Sequence, residues 1–112
     1  MVYNEETANR MRKLIRRHKG ITEKKMFGGL SFLLNGKMCC GLIKDDLVIR
    51  INPDEQDSIL KKRDVRPMDF TGRLMKGFIY VNPSGYKTDK ILYGWIKTGM
   101  NYVNTFKKSK RK

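Results

Sequence analysis

Residues 22–51 constrain the fold of this 112-residue chain more than any other segment. Apolar-rich runs there are separated by connections of only two or three residues, which cannot hold the crossover that parallel strands need. Asn35-Gly36 divides residues 30–34 from residues 37–43, and both types accept the positive φ that a two-residue hairpin turn demands. Lys44-Asp45-Asp46 reads as a charged turn before the apolar run 47–51. Upstream, Met26-Phe27 is strand-like and is separated from residues 30–34 by Gly28-Gly29, where a bulge or bend is expected. The pattern predicts an antiparallel meander.

Helical spacing frames this core. Residues 5–19 place Ala8, Met11, Leu14, Ile15 and His18 on one face, with Asn4 as N-cap, Glu5 and Glu6 in the first turn and Gly20 at the stop. Asn52-Pro53-Asp54-Glu55 has the signature of a second helix start, running to about residue 63. Residues 65–71 read as a strand whose Pro67 suits an edge, and Gly72-Arg73 turns into a strand over 75–81. A final helix over 89–106 carries Leu92, Trp95, Ile96, Tyr102, Val103 and Phe106 as its apolar stripe, with Trp95 as the main anchor. Gly94 and Gly99 weaken that helix, so close packing is expected at both. The reading is one α+β domain over residues 1–106: an antiparallel sheet of five to six strands with helices packed on it, in the order α-β(3-4)-α-β(2)-α. Residues 107–112 are expected to form a disordered basic tail.

Charge narrows the function classes. The chain has 25 Lys+Arg against 11 Asp+Glu, a formal charge of +14, and five of the positive charges lie in the last six residues. A second cluster, Arg10, Arg12, Lys13, Arg16 and Arg17, falls on the first helix. Together with Lys107, Lys108, Lys110, Arg111 and Lys112 it forms the set of candidate nucleic-acid contacts, of the nonspecific electrostatic kind. A solvated helix face and a solubilising tail account for the same residues. No apolar run approaches the roughly 20 residues of a membrane span, and residues 1–25 hold no apolar core of a secretory leader, so a cytoplasmic protein is expected.

Chemistry-bearing residues are sparse. Cys39-Cys40 lies on an expected strand, where side chains alternate, so one thiol should be core and the other surface, and the pair should not clamp one metal. His18 is the single histidine and falls on the apolar stripe. Asp45-Asp46 and Asp54 belong to a turn and a helix start. Phosphate-loop and dinucleotide glycine spacings are absent. Neither a catalytic constellation, a metal site nor a cofactor is expected. The hairpin 66–76 offers a candidate interaction surface in Arg66, Asp69, Thr71, Arg73 and Lys76, with a turn-fixing Asp–Arg pair as the structural alternative.

Taken in order, Met26-Phe27-Gly28-Gly29, Asn35-Gly36-Lys37-Met38, Leu47-x-x-Arg50, Arg66-Pro67-Met68-Asp69-Phe70-Thr71-Gly72 and Met75-Lys76-Gly77 resemble the TfoX N-terminal domain family. The resemblance continues into the Trp95-Ile96 helix and implies a compact α+β domain similar to secretion-chaperone-like folds. Known members include regulators of natural competence, which act with a cyclic-AMP receptor-type transcription factor and carry a second, C-terminal domain. This chain ends in a lysine tail where that domain would begin and looks like a stand-alone N-terminal domain. The resemblance implies a non-enzymatic regulatory or adaptor domain whose partner is a protein such as a transcription factor. A homodimer is the further expectation from its edge strand. Direct nucleic-acid binding is the alternative, and a small enzyme or metal protein using Cys39, Cys40 or His18 is the third reading.

Overall fold

The structure, a computed structural model, describes residues 3–16, 18–26, 28–70 and 73–110. In chain order its elements are α1 (Glu5–Ile15), β1 (Ile21–Met26), β2 (Gly29–Leu34), β3 (Lys37–Ile43), β4 (Asp46–Arg50), α2 (Gln56–Ile59), β5 (Val65–Phe70), β6 (Arg73–Val81) and α3 (Asp89–Lys110). The strands form one six-stranded sheet in the order β1-β2-β3-β4-β6-β5, and every strand pair is antiparallel. Three α-helices on this sheet make an α+β fold. The Asn35-Gly36 turn has φ values of 53° and 86°, as a two-residue hairpin with a matching twist requires.

Each local signal has a limit that packing sets. Asn4 caps α1 through its side chain, which accepts from the Thr7 amide at 3.1 Å. The helix ends at Ile15 and not at residue 19. His18 stands beyond its end, in the connection to β1. β1 starts at Ile21, well before the expected Met26-Phe27, and Phe27 lies outside the described residues. Its sequence, Ile-Thr-Glu-Lys-Lys-Met, is mostly polar because β1 is a sheet edge, where lysines discourage pairing with other chains. Asn52 caps the Asp54 amide at 2.9 Å, but the second helix is a 3-10 turn over Pro53–Glu55 followed by the four-residue α2. Two apolar anchors, Ile59 and Leu60, reach the core from there, too few to dock a longer helix. Pro67 sits on β5, the opposite edge of the sheet, beside a register shift at Met68. The backbone of α3 runs to Lys110, so residues 107–110 continue the helix into the segment expected as a tail; lysine is a good helix former and suits the negative end of the dipole.

The helices share one side of the sheet. There the main core joins Ala8, Met11 and Ile15 of α1 with Leu92, Ile96, Met100 and Val103 of α3 and the inward residues of the strands. Trp95 is half-buried and donates its indole N–H to the Gly85 carbonyl at 3.1 Å; the smaller Leu92 and Ile96, both fully buried, are the deeper anchors. On the other side a smaller cluster of Met38, Val48, Met68 and Tyr80, flanked by Leu33, Ile43 and Phe78, is built from strand residues alone.

The vicinal cysteines depart from strand alternation. Phe32 faces Cys40 and Leu33 faces Met38, so Cys39 is an extra residue in β3, a bulge. The bulge turns both thiols to the helix side, where each is fully buried, 3.9 Å apart. The expectation of one core and one surface thiol therefore fails, because a bulge suspends the two-residue period it assumed. Contact with Cys39 and burial push the Cys40 thiol well above its ordinary pKa. Directly over the bulge, α3 presents Gly99, and a Cβ at that position would collide with the Cys39 carbonyl oxygen. Gly94, by contrast, has open space around it, so close packing does not account for it.

Two measurements check this contact. In urea titrations, Gly99→Ala should lose about 1–3 kcal/mol by overpacking. Gly94→Ala should gain up to about 1 kcal/mol through helix propensity. Equal effects at the two positions would contradict the packing described. A thiol reagent such as Ellman's should label neither cysteine in the native state and both after unfolding; rapid native labelling of one would place it on the surface.

Candidate functional site

Most of the basic residues expected on the first helix gather around one cleft, and the structure divides them into two kinds. Arg10 is committed to holding α1 against α3. Its Nε donates to Asp89 at 2.9 Å and its Nη2 donates to the carbonyls of Tyr86 and Lys87 at 3.0 and 3.2 Å. The guanidinium also lies 5.7 Å from the centre of the Tyr86 ring. Arg12 holds the opposite flank, with Nε and Nη2 donating to the two carboxylate oxygens of Glu23 on β1 at 2.7 and 3.1 Å. That forked bond raises the Arg12 pKa above its usual value. Lys13 and Arg16 are exposed, and among the described residues neither makes an ion pair. Arg17 lies outside the described residues.

Between α1, the β1–β2 edge and the start of α3 lies an open cleft of about 680 Å³. Ile15, Ile21 and Phe32 give it an apolar floor, while Lys13, Arg16 and His18 line one end. His18 is half-buried, with Nε2 2.8 Å from the Tyr93 hydroxyl on α3. Helical spacing predicts His18 on the apolar stripe of the first helix; the early stop of α1 moves it to the cleft instead. The cleft itself had no signal in the sequence beyond the spacing of the basic residues, since its floor joins β-strands to a helix.

The remaining expected residues fall elsewhere. A rise of 1.5 Å per residue puts Lys107 about 20 Å along α3 from Tyr93, beside which His18 sits. The helix cluster and the chain end are thus separate basic regions. Of the terminal residues, Lys107, Lys108 and Lys110 continue the α3 backbone, and Arg111 and Lys112 lie outside the described residues.

Arg66 stands at the base of the β5–β6 hairpin, paired in register with Tyr80, whereas Asp69 and Arg73 stand near its tip. Its guanidinium stacks 4.8 Å from the centre of the Tyr80 ring, and it pairs with Asp46 at 2.7 Å and bonds Asn82 at 3.0 Å. Arg66 thus has an ion-pair partner across the sheet on β4. Nearby, Arg50 stacks 5.3 Å from the centre of the Phe78 ring. For Asp69, Arg73 and Lys76 the backbone alone is described, with Lys76 just before Gly77 of β6; Thr71 lies outside the described residues. Asp45 accepts a bond from the Asn4 amide at 2.9 Å, so both residues of the Asp45-Asp46 turn have structural partners.

The two anchors of α1 differ in what their loss exposes. Arg10→Ala leaves two backbone carbonyls without their donor and should cost about 1–2 kcal/mol. Arg12→Ala breaks a partly exposed ion pair and should cost about 0.5 kcal/mol, less at high salt. Chemical denaturation of the two variants at low and high salt tests this order.

Searches of curated proteins and of solved structures return no match. The TfoX N-terminal domain model matches residues 13–102, from the last turn of α1 through most of α3. With its motifs and its α+β sheet accounted for over that span, the chain belongs to the TfoX N-terminal domain family.

Proposed function

We propose that this protein is a non-enzymatic regulatory adaptor of the competence-regulator type, working in the cytoplasm through contacts with a protein partner. The observation that carries the reading is the strand-only face of the sheet, where Arg66 stacks on Tyr80 and Arg50 on Phe78 beside a Met-rich apolar cluster. Arginine and tyrosine dominate the energetics of protein interfaces, and stacked arginines lose little freedom on binding. Arg50 and Arg66 make an acidic partner surface the fitting one there, such as one on a transcription component. The groups that could serve catalysis have other duties: His18 bonds Tyr93, Asp46 holds Arg66, Asp89 holds Arg10, and the two thiols are buried. Two buried free thiols also suit a reducing compartment. Among the described residues no helix is long and apolar enough to cross a membrane.

An affinity pull-down with nuclease treatment tests this. The wild-type chain should retain a protein partner after nuclease, and Arg66→Glu should lose it while keeping the fold by circular dichroism. Recovery only without nuclease would transfer the function to nucleic-acid binding. In that case five phosphate contacts from the chain end would give a log K against log salt slope near about −4.5 in gel shifts.

A further inference from the structure

We propose that the cleft beside α1 is a binding site for a small organic anion, one with a compact apolar body and a single acidic head. The inference concerns the helix side of the sheet and goes beyond the adaptor reading, which rests on the opposite face.

Shape, charge and rigidity agree on this class of ligand. A volume of about 680 Å³ suits a small molecule, for which typical pockets hold roughly 300–1,000 Å³. The apolar floor joins three elements, Ile15 at the end of α1, Ile21 on β1 and Phe32 on β2, so it does not depend on a loop. Two links border it: Arg10 ties α1 to Asp89 of α3, and Arg12 ties it to Glu23 of β1. Preorganisation of this kind lowers the ordering penalty of binding.

The same two ion pairs decide the sign of the ligand. They engage Asp89 and Glu23, two of the three carboxylates that line the cleft among the described residues, and offset Arg10 and Arg12 in return. Lys13 and Arg16 are left facing the cleft without a carboxylate among the described residues. Glu6, which also lines the cleft, is about 10 Å from Lys13 and about 15 Å from Arg16 along α1, at a helix rise of 1.5 Å per residue. The positive end is thus distinct from the acidic one. His18 is held at the same end, with Nε2 2.8 Å from the Tyr93 hydroxyl. The head group meets the two cations, and the apolar body lies on Ile15, Ile21 and Phe32. The negative end of the α1 dipole opposes an anion at this position, but it is worth only about 0.3–1 kcal/mol, less than two charge-assisted hydrogen bonds.

Probes that share one apolar body separate the contributions. Isothermal titration of the full chain with 1-naphthoate, 1-naphthyl phosphate and neutral 1-naphthol should give binding of the acids at least about ten-fold tighter than of the alcohol. The ranking of the two acids tells a carboxylate ligand from a phosphate ligand. Lys13→Gln/Arg16→Gln should weaken the acids by about ten-fold or more and leave naphthol unchanged. Ile21→Trp, which fills the floor, should weaken all three, with circular dichroism and thermal midpoint reporting that the fold persists. Equal binding of acid and alcohol, insensitivity to the double substitution, or no heat from any probe at about 1 mM would overturn the proposal. None of these outcomes bears on partner retention by Arg66, so the two readings fail separately.

Discussion

The contact between Gly99 of α3 and the Cys39 carbonyl is the point from which the helix layer is positioned. It brings the helix backbone onto the sheet at the bulge, closer than any side chain would permit. Leu92, Ile96, Met100 and Val103 then meet β3 and β4 at full burial or close to it. With α3 seated there, its N-terminal end offers Asp89 to Arg10, and Tyr93 to His18. α1 is consequently placed by α3 on one flank and by Glu23 of β1 on the other. The cleft lies between this helix, the β1–β2 edge of the sheet and the start of α3.

The two faces of the sheet use basic residues differently. On the helix side, arginines act as internal ties, and only those left over can meet a ligand. On the strand-only side, Arg50 and Arg66 cover aromatic rings that no helix shields. A guanidinium does this well, because its planar, weakly hydrated surface lies on a ring while its edge still makes ion pairs or hydrogen bonds. Net charge alone does not distinguish these duties. The +14 of the chain includes structural ties, ring covers and free cations, and the functional share is smaller than the total.

Elements whose cause is local were legible in advance. Asn4 caps its helix, Asn35-Gly36 makes its turn, Asn52 caps the 3-10 turn and Pro67 lies on an edge strand, each through geometry within a few residues. What escaped depends on distant neighbours. β1 reads as polar because its partner covers only one edge, and α2 is short because only Ile59 and Leu60 find the core. The basic helix residues were legible as a set, and their division into tied and free was not. That division rests on Glu23 and Asp89, which are 11 and 79 residues away in sequence from their partners.

By itself, then, the sequence determined the α+β class, the antiparallel meander and the family, since these follow from turn chemistry, hydrophobic period and ordered motifs. Tertiary structure alone decided that the Cys39-Cys40 pair faces one way, that Gly99 is a contact point and that Lys13 and Arg16 stand free beside an apolar floor. The physical reason is the same in each case. A bulge, a close approach and an ion pair are relations between segments, and a residue's own identity does not specify which partner will reach it.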